Sequence, residues 1–242
     1  YLAHARTFRL RGDSFRPSGH LLKKFLPLGV SSFITQVSIV VIMAVMNNVL
    51  VFYGAQSKYG SDIPLTVVGI VMKMFQIVVS VVVGVAAGCQ PLVGYNYGAG
   101  QTGRVREILK IMLAAEAAVG LFSLFCFQVF PLQITALFGS ENGLYNEFAV
   151  KAFRIFLAAI PLCCIQKAAS IFLQSLGKPV RAMALSLLRE FVLSVPLAIF
   201  LPKIWGVEGA LYSAPAADVV SWIVAIVLLA RVWGRLDEKK EC

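Results

Sequence analysis

Residues 65–92 read LTVVGIVMKMFQIVVSVVVGVAAGCQPL, and this stretch decides the fold. It contains 28 residues and a single charged side chain, Lys73. Because a helix rises about 1.5 Å per residue, this stretch is longer than the roughly 30 Å hydrocarbon core of a bilayer. We therefore predict a transmembrane helix that tilts or protrudes from the membrane.

Apolar stretches of similar length fill the rest of the chain. Hydrophobic residues make up 59% of the sequence and the mean hydropathy is +0.81, well above the level of a soluble domain. We predict an all-α membrane protein, a bundle of six transmembrane helices. The predicted spans cover about residues 25–51, 65–92, 108–130, 153–176, 183–201 and 211–232.

Basic residues lie mostly on one side of these spans, which explains the net charge of +10 better than nucleic-acid binding does. Because lysine and arginine concentrate in cytoplasmic loops, we predict cytoplasmic termini and an even number of spans. Fifteen of the 22 basic residues share that side: Arg6, Arg9, Arg11, Arg16, Lys23, Lys24, Arg104, Arg106, Lys110, Lys178, Arg181, Arg231, Arg235, Lys239 and Lys240.

Charged residues inside the predicted spans indicate either a translocation path or ion pairs between helices. The predicted network consists of Lys167, Arg189, Glu190 and Asp218. Arg189 and Glu190 are adjacent, so an α-helix would point them about 100° apart and keep them from pairing with one neighbour. Glu116 lies about two turns from the cytoplasmic end of its span, within reach of water there, and we favour a structural role for it.

Small residues and prolines predict the shape of the bundle. Gly84 and Gly88 have the spacing that lets two helices approach closely. Pro161 and Pro196 lie inside apolar spans, where each removes a backbone hydrogen bond and bends its helix. Such a bend is either a fixed kink or a hinge.

The sequence contains no catalytic or metal-binding motif, so we expect no enzyme, no metal site and no cofactor. The five cysteines lack metal-ligand spacing. Both histidines, His4 and His20, lie in the hydrophilic start of the chain, away from any carboxylate or cysteine cluster.

Several motifs resemble the multidrug and toxic compound extrusion (MATE) family. The stretch at 84–100, GVAAGCQPLVGYNYGAG, resembles a family signature whose turn contains Gln90, Pro91, Gly94, Asn96 and Gly98. FLQSLGKP at 172–179 resembles the penultimate cytoplasmic turn of the family. Leu188-Arg189-Glu190 followed by Ala214-Pro215-Ala216-Ala217-Asp218 resembles its last two helices.

The resemblance implies a cation-coupled antiporter that exports organic, often cationic, drugs and toxins by alternating access. Family members have two six-helix lobes around a central cavity, and this chain resembles the second. Residues 1–24 would then be a cytoplasmic linker between lobes, 25–232 the lobe and 233–242 a cytoplasmic tail. The implied partners are small organic cations, the bilayer of the plasma (inner) membrane and a missing N-terminal lobe.

The resemblance also favours the proton over sodium as the coupling ion. Some members use carboxylates in the helices that correspond to the first and fourth spans, where this chain has Asn47, Asn48 and Lys167. An amide or a lysine is not equivalent to a carboxylate as a sodium ligand. The predicted wall of the substrate cavity consists of Gln36, Asn47, Met72, Lys73 and Gln76.

Other functions stay open at this point. A lipid-linked oligosaccharide flippase of the same superfamily would need a strongly basic cavity, with Lys73, Lys167 and Arg189 facing it together. A structural membrane subunit without transport activity is a second alternative. An intramembrane enzyme would require Glu190 and Asp218 to meet in one wet pocket.

Overall fold

The computed structural model describes residues 19–139 and 143–238, with side chains described for 33–139 and 143–234. The predicted linker lies outside the described residues over 1–18, and the predicted tail over 239–242. The helices are α1 (Gly19–Ala55), α2 (Asp62–Gly98), α3 (Thr102–Val129), α4 (Pro131–Ala136), α5 (Gly143–Phe156), α6 (Ile160–Ser175), α7 (Pro179–Leu187) and α8 (Ser194–Glu238), with a π-helical segment (Leu188–Leu193) between α7 and α8.

These elements give the six spans that the sequence predicts. Among the described residues, four helical stretches are long and apolar enough to cross a bilayer, and α5 with α6 makes a fifth. One of the four, Pro179–Gly234, has 56 residues and would extend about 84 Å if it were straight. It is broken at Gly206, where the backbone is non-helical with φ 60° and ψ −146°.

The chain reverses direction at Gly206, so this long stretch crosses the bilayer twice. Arg189 and Asp218 form an ion pair although 29 residues separate them, a distance of about 43 Å along a straight helix. The Trp205 and Tyr212 rings on either side of the break lie 5.6 Å apart. A glycine is suited to this break because its φ of 60° is strained for other residues.

The fourth predicted span consists of α5 and α6, which meet at an angle of 44°. Pro161 lies in the first turn of α6, where its missing N–H leaves no helical acceptor unsatisfied. On α3, a Cβ at Gly120 would come within 2.7 Å of the Pro161 Cα. The bend predicted from Pro161 is therefore confirmed, and Gly120 makes room for it.

The family signature forms the end of α2 and not a turn. The helix continues through Pro91, Gly94, Asn96 and Gly98, and the chain turns only at Gly100, which has φ +74°. The N–H of Gln101 donates to the Asn96 carbonyl at 2.9 Å, which closes the helix end. The turn predicted around these glycines is wrong, since nothing forces them out of helical geometry.

The close helix approach predicted at Gly84 and Gly88 is absent from the described residues. A Cβ added at either glycine would meet nothing within 4 Å. Both glycines are exposed on the surface of α2. Helix packing within the bundle therefore does not use this pair.

Ion pairs join three elements at the end of the bundle that contains the α1–α2 loop. The Lys58 ammonium donates to Glu147 on α5 at 2.8 Å, and this hydrogen bond raises the pKa of Lys58 above its usual value. Lys151 on α5 donates to Glu208, just beyond the reversal in α8, at 2.7 Å. These contacts fix the loop and the reversal to the same helix.

In the described part of the chain, buried apolar side chains form two clusters, one toward each end of the bundle. On α2, Val82 belongs to the cluster near the α1–α2 loop and Ala86 to the other. The same division falls between Cys164 and Ala168 on α6. The charged residues of the bundle interior lie in the layer between the two clusters.

The reversal in α8 can be tested at Gly209, because a Cβ there would overlap the backbone of Leu201 and Pro202. We expect Gly209→Ala to destabilise the protein by about 1–3 kcal/mol through overpacking. Thermal unfolding in detergent would measure this as a lower Tm. Gly234→Ala is the matched control, since a Cβ at Gly234 meets nothing within 4 Å. Equal Tm values for the two variants would contradict the close contact between the two arms.

Candidate functional site

The π-helical segment places Arg189 and Glu190 on one side of the chain. Its wide turn brings consecutive side chains closer in direction than an α-helix does. The N–H of Ser194 bonds to the Arg189 carbonyl five residues earlier, and the Ser194 hydroxyl donates to the same oxygen at 2.7 Å. Pro196 follows within the next turn of the helix and provides no N–H for the carbonyl of Val192.

Arg189 and Glu190 bond to each other, and each also bonds to a different residue on another helix, which agrees with the expectation that they do not pair with one common neighbour. The Arg189 guanidinium donates to Glu190 at 2.8 Å and to Asp218 on α8 at 2.6 Å. Glu190 also accepts a hydrogen bond from Lys167 on α6 at 2.7 Å. The predicted network thus exists as one connected group of two cations and two carboxylates.

This group is buried, which explains why its charges are paired. The side chains of Arg189, Glu190 and Asp218 are 7%, 8% and 3% exposed. An isolated charge in such surroundings costs several kcal/mol, whereas a hydrogen-bonded pair offsets much of that cost. The network connects α6, the π-helical segment and α8 across the polar layer.

Glu116 belongs to the same polar layer but not to the network. It lies fourteen residues into α3, and its exposed fraction is 0%. Neither carboxyl oxygen has a hydrogen-bond partner within the described residues. The side chain of Glu116 does not reach water near the helix end, because the packing of α3 against α6 covers it.

A cavity of about 570 Å³ lies between α1, α2 and the start and middle of α8, next to the charge network. Its charged and polar lining from the last two spans consists of Arg189, Glu190, Ser194, Ser213 and Asp218. Methionine and aromatic side chains make up much of the remaining wall: Met43, Met46, Met72, Phe75 and Phe156. Thioethers adapt to different ligand shapes.

The structure places four of the five predicted cavity residues in this wall. Asn47, Met72, Lys73 and Gln76 line the cavity, and Gln36 does not. On α1, Gln36 lies on the same face as Met43 and Asn47, but nearly one turn beyond Ile39, where the lining ends. The depth to which the cavity extends along α1 depends on the neighbouring helices, so the sequence of one helix does not reveal it.

Sequence reasoning did not identify Ser194, Ser213 or Phe75 as cavity residues. Ser194 was not recognisable because its position depends on the π-helical segment. Phe75 lies between Met74 and Gln76 in an apolar run, and the Arg189 guanidinium lies 5.5 Å from the centre of its ring. A single aromatic in such a run gives no signal by itself.

The basic cavity expected for a flippase is present only in part. Lys73 and Arg189 line the cavity, but Lys167 is not part of the lining and its ammonium bonds to Glu190. An intramembrane enzyme would require Glu190 and Asp218 to lie in one pocket, and both residues line this cavity. Both carboxylates contact Arg189, so the arrangement is an arginine held between two acids.

Comparisons with known proteins agree on the family and the fold. The sequence model of the MatE family matches residues 31–200. The multidrug export protein MepA of Staphylococcus aureus (strain N315) is 19% identical over 221 residues, which are 91% of this chain and 47% of that protein. MepA of Staphylococcus haemolyticus (strain JCSC1435) is 20% identical over 93% of this chain and 48% of that protein.

Among solved structures, an outward-facing multidrug resistance MATE family transporter of the MOP superfamily superposes with a TM-score of 0.84. It is 18% identical and covers 98% of this chain, which in turn covers 52% of that transporter. The chain therefore spans about half the length of the curated relatives and of the solved transporter that it matches. Its six-span bundle has the fold of one lobe.

The ion pair of Arg189 with Asp218 gives a testable prediction for stability. Removing one partner leaves a buried charge without compensation, so we expect Arg189→Gln and Asp218→Asn to destabilise by about 3–5 kcal/mol each. The double variant leaves two neutral amides that can bond to each other, and we expect it to recover part of that loss. Thermal unfolding of the detergent-solubilised protein would measure all three. Strictly additive losses would contradict direct coupling between these residues.

Proposed function

Because this chain belongs to the MatE family, we propose that it forms half of a membrane transporter that exports organic compounds by alternating access. The cavity beside the charge network is the single observation that carries this proposal. Its volume of about 570 Å³ is within the range of pockets for small organic molecules. An adaptable apolar wall with a few polar groups suits cargo of varied shape.

We propose that a second lobe completes the cavity. The length of the relatives, about twice that of this chain, supports this view. Met43, Asn47, Lys73 and Gln76 all line the cavity and are exposed, so one side of it is available to a facing wall. The substrate would then be held between two bundles that move relative to each other. The names of the relatives support drugs as cargo, and toxins and organic cations are the classes that the resemblance suggests.

We propose that the antiport is driven by protons in preference to sodium. The two carboxylates in the cavity wall, Glu190 and Asp218, are both bonded to Arg189. A sodium ion would have to compete with that guanidinium for the carboxylate oxygens. This competition favours a coupling ion that acts elsewhere in the complete protein.

We propose that the protein lies in the plasma (inner) membrane with both ends of this chain in the cytoplasm. The excess of lysine and arginine at the turns beside Arg104 and Lys178 supports that orientation. The α1–α2 loop and the reversal at Gly206 would then face outward. The cavity would lie in the outer half of the bundle.

Efflux from cells tests the transport proposal. Cells that express the natural gene at full length should expel a rhodamine dye faster than cells with the empty vector. We expect a proton uncoupler to abolish the difference and sodium removal to leave it unchanged, because protons drive transport. Loss of efflux only after sodium removal would overturn the preference for protons, and equal efflux from both cell types would overturn the transport proposal.

Labelling tests the orientation. Gln56 and Gln101 are exposed in turns at opposite ends of the bundle, so Gln56→Cys and Gln101→Cys are a matched pair. Each is made in a background in which the five native cysteines are alanine. We expect a membrane-impermeant maleimide to label Gln56→Cys in intact cells and Gln101→Cys only after permeabilisation. The reverse pattern would contradict cytoplasmic termini.

A further inference from the structure

Lys73 differs from the other charged residues of the cavity wall because it has no ion-pair partner among the described residues. Its side chain is exposed on α2 and lines the cavity. No carboxylate of residues 33–139 or 143–234 lies within ion-pair distance of its ammonium. An uncompensated ammonium on the wall of a cavity is a binding group for an anion.

The remaining charges at the cavity cancel within the network. Arg189 and Lys167 provide two positive charges, and Glu190 and Asp218 provide two negative charges. Every member of this group makes a contact of 2.8 Å or less with an opposite charge. The four charges that line the cavity therefore sum to zero, and the bonded Lys167 outside the lining brings the cavity with its network to a net charge of +1.

The surroundings of Lys73 suit a small oxyanion attached to an apolar body. Gln76, three residues further along α2, lies on the same helix face as Lys73 and also lines the cavity. Asn47 adds a second amide from α1. Amide N–H groups can donate to the oxygens of a carboxylate or phosphate, while Met72 and Phe75 contact an aromatic or aliphatic body.

We propose that Lys73 binds an anionic group of the transported molecule, so that this lobe selects amphipathic organic zwitterions and anions over molecules that carry only a positive charge. This inference rests on the proposed transport function and adds a substrate class to it. Glu190 and Asp218 offer little to a cationic centre because Arg189 already occupies both carboxylates. Any cationic centre of the cargo would find its counter-charge in the facing lobe.

A matched pair of dyes tests this selection. The probes are a rhodamine with a free carboxylate and the same rhodamine as its methyl ester, which differ only in the anionic group. Fluorescence anisotropy would measure the Kd of each for the purified full-length protein at one pH and one ionic strength. We expect the acid to bind roughly tenfold more tightly than the ester, the effect of one charge-assisted contact in a partly desolvated site.

Substitutions at Lys73 test whether this lysine causes the preference for the acid over the ester. We expect Lys73→Gln to weaken binding of the acid roughly tenfold and to leave the ester unchanged, and Lys73→Arg to keep the preference. Lys203→Gln is the matched control, because Lys203 is an exposed lysine near the Gly206 reversal and does not line the cavity. It should leave both Kd values unchanged.

The outcomes separate this inference from the transport proposal. Equal binding of acid and ester, with dye efflux intact, would overturn the role of Lys73 and leave transport standing. Loss of binding of both dyes to the Lys73→Gln variant, or a lower Tm of that variant, would also overturn the role of Lys73. Either result would show that the lysine pairs with a carboxylate of the other lobe. Failure of the full-length protein to bind either dye and to support efflux would overturn both proposals.

Discussion

The ion pairs of Arg189 stabilise the buried charged side chains, whose transfer into a bilayer has the highest free-energy cost in this molecule. Charges in the layer between two apolar clusters have little water to stabilise them, so Lys167, Arg189, Glu190 and Asp218 are stable there because they pair with one another. Arg189 contacts Glu190 and Asp218, and Lys167 contacts Glu190. This requirement explains why the last two spans pack closely and why they also pack against α6.

The local backbone around Arg189 follows from the same requirement. Arg189 and Glu190 lie in a π-helical segment, where consecutive side chains are somewhat closer in direction than the about 100° of an α-helix. They bond to each other there while Arg189 reaches Asp218 and Glu190 reaches Lys167, and Pro196 and the Ser194 hydroxyl stabilise the wide turn. π-Helical turns are frequent at functional sites, and here the turn forms part of the cavity wall.

The charge network also determines which polar groups of the cavity wall are available to a ligand. The charged groups of the network are paired with one another. The polar groups that remain available to a ligand are therefore those of Lys73, Asn47 and Gln76 on the first two spans. The apolar wall between them determines which shapes fit. One side of the cavity thus consists of a charge-neutral network, and the other side presents an ammonium group and two amides.

The sequence by itself determined the membrane class and the six spans. These follow from hydrophobic length, which is a local property of the chain. Only the tertiary structure decided that Arg189 and Glu190 bond to each other, that Glu116 is buried and that Gln36 lies beyond the cavity. Each of those depends on which helices pack together and at what depth, and spacing along one helix contains no such information.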